Sequence, residues 1–324
     1  MRCLVTGSTG FIGSHLCRAL IAQGHSVRAF HRPSSRLTLL DGLDVERVTG
    51  DLFDPPSLHA AADGVDWVFH AAAHVAYWRN PEALVETSIV GTRNVVEAAR
   101  AAGVTRFVLT SSLAAMGIPR VGELLDENSH FALSAHEWPY AYAKRAAEGV
   151  VTEAVAAGLD CVILNPSAVL GPGDVNMISG SLVVHPARRW VPVSVPGGLN
   201  IVHVRDVAAG HVAAARHGRT GERYIIGGEN ISHTQILSQV ARLAGHRPPL
   251  FEIPPALVSA LVWALKVVSR FRRLPYDSGL LDLSRHYFYC NNRKAIRELQ
   301  LPPPVPFATA LAETYAWYKE HAYI

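Results

Sequence analysis

The sequence predicts an α/β protein: a doubly wound parallel sheet, followed by a smaller and mostly helical region. Three observations predict it. Short β-rich runs alternate with helical patterns through residues 1–165, which reads as successive βαβ units. A glycine-rich turn links the first strand candidate to the first helix candidate. After Pro166 the alternation stops, and a Pro/Gly-rich stretch opening at Gly171-Pro172-Gly173 runs through Gly198.

The elements follow in order. Arg2–Thr6 is a strand, and Gly13–Ala22 a helix stopped by Gly24. Ser26–His31 and Val45–Thr49 are the second and third strands, the latter followed by Gly50-Asp51. Trp67–His70 is the fourth strand, and Glu82–Ala102 is read as one long helix ended by Gly103. Arg106–Thr110 is the fifth strand, Tyr140–Ala157 a helix ended by Gly158, and Asp160–Leu164 the sixth strand. Right-handed crossovers between such strands leave ligands at the carboxyl ends of the sheet. Beyond Pro166, Ile201–Val204 and Tyr224–Ile226 look like strands. Helical patterns cover Ser232–Leu243, Pro255–Arg270, Asn292–Gln300 and Phe307–His321. The expected division is a dinucleotide domain at 1–165 and a substrate region at 166–324, with segments near 201–227 returning to the first domain.

Composition bounds the function. Apolar residues are 49% and charged residues 18% of 324, as in a globular protein with a full core. A net charge of +3, with no basic run carrying interleaved aromatics, argues against a nucleic-acid partner. The sixteen histidines lack metal spacing; His70 and His74 are four apart but no H-E-x-x-H is present, so no metal is expected. Cys3, Cys17, Cys161 and Cys290 form no C-x-x-C pair, and Cys3 and Cys161 read as small core residues of a cytoplasmic protein. Met1–Val5 runs straight into the glycine turn, so no secretory leader is expected.

The turn itself reads Thr6-Gly7-Ser8-Thr9-Gly10-Phe11-Ile12-Gly13. Gly7 permits the sharp turn, Gly10 lets a pyrophosphate approach the backbone, and Gly13 lets the helix pack close to the sheet. The helix start then offers free N–H groups and a positive dipole end to phosphates. Gly7, Thr9, Gly10, Phe11, Ile12 and Gly13 are therefore candidate cofactor contacts.

With the spacing G-x-x-G-x-x-G, the sequence resembles the short-chain dehydrogenase/reductase superfamily, and T-G-x-x-G-F-I-G resembles its extended branch. The resemblance runs through Gly50-Asp51-Leu52, Phe69-His70-Ala71-Ala72-Ala73, Gly91-Thr92-Arg93-Asn94-Val95, Tyr140-x-x-x-Lys144, Asn165-Pro166 and Gly171-Pro172-Gly173. It implies that Asp51 and Leu52 contact the adenine, that Ala71, Ala72 and Ala73 line the dinucleotide, and that Pro166 joins the cofactor contacts. Many members have Asn where Ser88 stands here, which alters a helper contact.

Cofactor choice turns on the end of the second strand. An acid there would bind the ribose 2′-hydroxyl of NAD, whereas an arginine accepts the 2′-phosphate of NADP. The run Val27-Arg28-Ala29-Phe30 ends in His31-Arg32, with Arg36 four residues on and no carboxylate. Guanidinium groups bind phosphate oxygens bidentately. Arg32 and Arg36 thus predict NADP(H) over NAD(H).

Tyr140 and Lys144 share one face of a helix. A free tyrosine holds its proton too tightly at pH 7, and a neighbouring ammonium lowers that hold. Tyr140 can then pass a proton to a carbonyl oxygen, or take one in reverse. Tyr142 lacks this partner, since Ala146 stands four residues on. By resemblance, Lys144 also holds the nicotinamide ribose. Counting back from Gly117, the glycine ending the family's S-x-x-x-x-G run, makes Ser112 the serine that hydrogen-bonds the substrate oxygen. Ser111 is read as a capping or cofactor-side residue.

The extended branch holds reductases, sugar-nucleotide epimerases and dehydratases. Dehydratases resemble one another in a Thr-Asp-Glu run whose acids remove water; here it is Ser112-Leu113-Ala114. Epimerases commonly carry Arg-x-x-Asn-x-x-Gly-Pro, where Asn165 and Ala168 now stand in place of Arg and Asn. Their Val-x-Asp-Val-Ala run departs too, to His203-Val204-Arg205-Asp206-Val207, although Arg188, Arg189 and Arg205 could still bind a diphosphate. The chain looks closest to the dihydroflavonol reductase-like group, which includes hopanoid-associated sugar epimerases and 3β-hydroxysteroid dehydrogenases. Tyr224-Ile225-Ile226-Gly227-Gly228-Glu229-Asn230 and Arg293–Leu299 carry that likeness. The expected partner is a fairly apolar small-molecule carbonyl or alcohol, with a homodimer left open. The alternatives are a nucleotide-sugar epimerase and, more remotely, a non-catalytic dinucleotide sensor. The apolar run 254–273, trailed by Arg270, Arg272 and Arg273, reads as a lid helix, with an interface or membrane-surface helix as the other reading.

Overall fold

The computed structural model describes residues 1–73, 81–260 and 283–324. Seven parallel strands form the main sheet: β1 (Arg2–Thr6), β2 (Ser26–His31), β3 (Glu46–Thr49), β4 (Trp67–His70), β5 (Arg106–Thr110), β6 (Cys161–Pro166) and β10 (Arg223–Ile226). Their order is β10-β6-β5-β4-β1-β2-β3. The strand sequences explain the order. Those of β4 and β6 are buried throughout, as interior parallel strands covered on both faces must be. The edge strand β3 reads Glu-Arg-Val-Thr and is largely exposed, the polar character that keeps an edge from pairing further.

Alternate residues feed two cores. Cys3, Val5, Val108, Val162 and Leu164 pack on one face with Leu16, Cys17 and Leu20 of helix α1 (Phe11–Ala22) and Val207 and Val212 of α7 (Val204–His217). Leu4, Val68, Phe107 and Ile163 pack on the other. There they meet α2 (Pro55–Ala62), α4 (Thr92–Ala101) and α5 (Pro139–Ala156) through Leu58, Val95, Val96, Ala147 and Val151. The four cysteines are buried, and burial pushes their thiols up to about 12.

The long helix expected over 82–102 is α3 (Pro81–Glu86) and α4 joined by a wide π-helical turn, Thr87–Gly91, that carries Ser88. The register changes where the helix passes close to Leu52: a Cβ on Gly91 would lie 3.1 Å from Leu52 Cδ1.

After β6 the chain builds a second layer. β9 (Gly198–His203) pairs with β7 (Ala168–Leu170), β11 (Glu229–Ser232) and β13 (Tyr287–Phe288). β8 (Val193–Ser194) pairs with β12 (Phe251–Glu252). Helices α6 (Ser181–Arg188), α8 (His233–Leu243) and α10 (Phe307–Glu320) bury Val183, Ile236, Val240, Phe307 and Leu311 against this sheet. Ser232 and Gln235 form a capping box that starts α8. The short α9 (Arg293–Glu298) follows β13. His74 and positions 261–273 of the apolar run lie outside the described residues; 255–260 are helical. Among the described residues no helix is long and apolar enough to cross a membrane.

Candidate active site

The strand order reverses between β1 and β4, which opens a crevice at their carboxyl ends. Gly7 lies there at φ +69°, and Gly10 N–H donates to Gly7 O at 2.9 Å. A Cβ on Gly13 would collide with Gly7 O, and one on Gly7 would sit 2.6 Å from Ala72 N. Only glycine lets these backbone segments pack so tightly. No side chain caps the start of α1 and no acid lies in its first turn, so its N–H groups and dipole remain for an anion. Ala71–Ala73 pass beside this turn, with Ala71 N–H donating to Thr6 O at 3.2 Å. The crevice therefore fits a dinucleotide pyrophosphate on its own geometry.

Asp51 and Leu52 follow β3. Asp51 Oδ1 accepts from Phe53 N–H at 2.9 Å, and Leu52 O accepts from Asn94 Nδ2 at 2.8 Å. Arg32 and Arg36 sit in the turn after β2, where Ser35 N–H bonds Arg32 O at 3.0 Å. Both are exposed, and neither has an ion-pair partner among the described residues. They sit just past the carboxyl end of β2.

Helix α5 starts with Pro139 at its first position, which suits the fixed φ of proline, and it carries Tyr140 and Lys144 one turn apart. Lys144 is buried, and its Nζ donates to Thr110 O at 2.9 Å, at the carboxyl end of β5. Burial pushes the Lys144 ammonium down to about 8, while attraction from Glu148 opposes the fall. Tyr140 is half-buried. Ser112, just past β5, accepts from Ala114 N–H at 3.2 Å and so caps the turn Leu113–Met116. The capping expected of Ser111 thus belongs to Ser112. Ser111 Oγ instead donates to Glu148 Oε1 at 2.5 Å. Lys144 reaches the end of β5 through Thr110 O, close in sequence to Ser112, and Tyr140 precedes Lys144 by one turn of α5. Leu113 and Ala114 are buried apolar groups where a dehydratase would hold its acids.

Three features escaped the sequence reading. Glu148 is buried at 2% exposure and also accepts from Asn165 Nδ2 at 2.6 Å; that amide reaches Ser112 O at 3.0 Å. The signal was the i, i+4 spacing from Lys144. His70 is wedged between Thr6 Oγ1 (2.7 Å) and Thr92 Oγ1 (3.1 Å), tying β1 and β4 to α4, and burial pushes it down to about 3. His211 lies 2.7 Å from Thr110 Oγ1 under the same strand end, and burial lowers it to about 4. Nothing in the local sequence pattern marks His211, whereas His70 stands in the Phe69–Ala73 run without any sign of this bridging role. Beside Pro166, Asn165 Oδ1 and Ser167 Oγ are buried with no partner among the described residues, leaving hydrogen-bonding capacity at the carboxyl end of β6. Of the arginines that could hold a diphosphate, Arg205 pairs with Glu313 at 2.7 Å, and Arg188 Nε donates to Tyr323 O at 2.7 Å.

Residues 3–227 match the model of the NAD dependent epimerase/dehydratase family. A provisionally named dihydroflavonol 4-reductase from Synechocystis sp. is 38% identical, over 99% of this chain and 95% of its own. Sterol demethylase protein B from Methylococcus capsulatus is also 38% identical, with 100% of both chains covered. The solved structure of a nucleoside-diphosphate-sugar epimerase from Pseudomonas aeruginosa matches with a TM-score of 0.85 at 25% identity, over 100% of this chain and 99% of that one.

Proposed function

This chain belongs to the NAD-dependent epimerase/dehydratase family and is an NAD(P)-dependent oxidoreductase of the extended short-chain type; within that family we propose that it is an NADPH-dependent reductase of a ketone or aldehyde on a fairly apolar small molecule, or its reverse. The observation that carries this reading is the convergence at the end of β5. The buried Lys144 donates there to Thr110 O, Ser112 follows just past the strand, and Tyr140 lies one helical turn before Lys144. When bound, the reduced dinucleotide supplies a hydride to the carbonyl carbon. Ser112 Oγ holds the carbonyl oxygen, and Tyr140 gives it a proton as charge builds there. Lys144 lowers the cost of the resulting phenolate and holds the nicotinamide ribose. Gly7, Thr9, Gly10, Phe11, Ile12, Gly13, Asp51, Leu52, Ala71, Ala72, Ala73 and Pro166 would hold the remainder of the cofactor. Arg32 and Arg36 favour the 2′-phosphate of NADPH, since no acid takes their place at the end of β2.

Against the sugar-epimerase reading stand Ala168 at the diphosphate-anchoring position and the ion pair of Arg205 with Glu313; Arg189 stays exposed. The names of the two relatives, a flavonol-type reductase and a sterol-modifying protein, accord with an apolar substrate. The test is a panel of apolar ketones and aldehydes, with NADPH absorbance followed at saturating enzyme. Turnover of at least one carbonyl supports the reading. No NADPH oxidation with any carbonyl, together with conversion of a UDP- or GDP-sugar, would replace it with the epimerase.

A further inference from the structure

The buried network behind the site has a centre that the proton path from Tyr140 does not itself use. Glu148 Oε1 accepts from Ser111 Oγ and Asn165 Nδ2, at 2.5 and 2.6 Å. Its Oε2 lies 3.2 Å from Arg145 and 3.5 Å from Arg223, which reaches in from β10. One carboxylate thus ties α5 to the carboxyl ends of β5 and β6 and to the first residue of β10. Two of its partners grip the segment carrying Ser112: Ser111 is the preceding residue, and Asn165 also bonds Ser112 O. We propose that Glu148 is a positioning residue for the reaction at Tyr140: its buried carboxylate fixes the chain that presents Ser112 and places a negative charge one helical turn from Lys144. This rests on the reading of Tyr140 and Lys144 given above.

A purely structural glutamate would sit anywhere in the core that its partners allowed. This one is a single helical turn from Lys144, and its charge favours the ammonium that burial disfavours. The charged and titratable groups facing the pair are Arg145 on α5, Arg223 on β10 and His70 on β4. Glu127, whose carboxylate accepts from Ile225 N–H at 2.9 Å, faces Arg223. Removing the negative charge of Glu148 removes the attraction that opposes the fall in the proton affinity of Lys144, so the ammonium is lost at lower pH. The alkaline limb of carbonyl reduction must therefore move to lower pH.

The experiment compares E148Q, S111A and Y140F with the wild type, using NADPH and whichever carbonyl the wild type reduces. E148Q should lose about tenfold or more in kcat while NADPH Kd stays within about threefold. Its alkaline limb should fall by about half a pH unit or more. S111A, which removes one hydrogen bond and keeps the charge, should lower kcat and leave the limb in place. A limb that moves as far in S111A as in E148Q contradicts the counter-charge role. An E148Q protein with only a lower Tm, and with kcat and limb unchanged, overturns the proposal. Should E148Q fail to fold, R223Q carries the test with the opposite sign: losing a cation beside Glu148 must raise the limb, and an unmoved limb overturns the proposal. Y140F separates the two levels. Normal turnover in Y140F defeats the underlying reading, whereas an inactive Y140F beside a wild-type-like E148Q defeats only the role of Glu148.

Discussion

At Lys144, function and stability pull in opposite directions. The proposed reaction needs its ammonium beside Tyr140, yet burial lowers it from 10.5 to about 8. The folded chain therefore releases this proton at lower pH than the unfolded chain does. Between about 8 and 10.5 the unfolded state binds more protons, so stability rises with pH across that window. Lys144→Met removes this component. The difference in Tm between the wild type and K144M should change in favour of the wild type as pH rises from 8 to 10.5. Parallel pH profiles of Tm would show that the lysine is not held this way. Tyr140→Phe keeps the ring and deletes the hydroxyl; turnover should fall by about 10²–10⁴-fold with NADPH binding intact, as steady-state kinetics and a binding titration will show. Arg32→Asp should shift preference toward NADH by removing a charge-assisted contact and adding repulsion. Equal NADH and NADPH affinities in the wild type would contradict the assignment of Arg32 and Arg36.

Among the elements, the phosphate turn is the most tightly specified. Gly13→Ala would drive a Cβ into Gly7 O and open the turn. The expected outcome is a folded protein with NADPH affinity weakened by about tenfold or more, read by titration with circular dichroism as the control. Unchanged affinity would mean that the phosphates bind elsewhere. The strands of the first half were legible because interior parallel strands need unbroken apolar runs, and Cys161–Leu164 and Trp67–His70 provide them. Other elements were not. α7 at Val204–His217 starts directly after β9, with His203 as its cap, so the run Ile201–Val204 hid a strand-to-helix junction. α6 carries Pro186 inside a Pro/Gly-rich stretch, where propensity argues against a helix and tertiary packing of Val183 and Val184 decides for one. The π-helical turn at Thr87–Gly91 ends against a neighbour, Leu52, that is distant in sequence.

For the whole molecule, the site is an assembly of strand ends brought together by the sheet. Tyr140 and Lys144 could be read from spacing within one helix. The convergence of Ser111, Glu148, Asn165 and Arg223 could not, because their contacts span residues 111 to 223. The same burial makes the fold sensitive to acid. His70 and His211 have an ordinary value of 6.5, and burial lowers them to about 3 and about 4. The stability that comes with keeping them neutral is complete above 6.5 and is lost as pH falls toward those values. Apo-protein Tm should therefore decline between pH 6.5 and 4, and His211→Gln should flatten part of that slope even if its Tm at pH 7 is lower. A slope identical to the wild type would remove His211 from the account. The central claim is net hydride transfer to a carbonyl, and its most direct measurement is NADPH deuterated at the transferred position of C4, with the product examined by mass spectrometry. The account predicts one deuterium in the alcohol product and one NADP⁺ released per turnover. Inversion of a nucleotide sugar with no net NADPH consumed would contradict it.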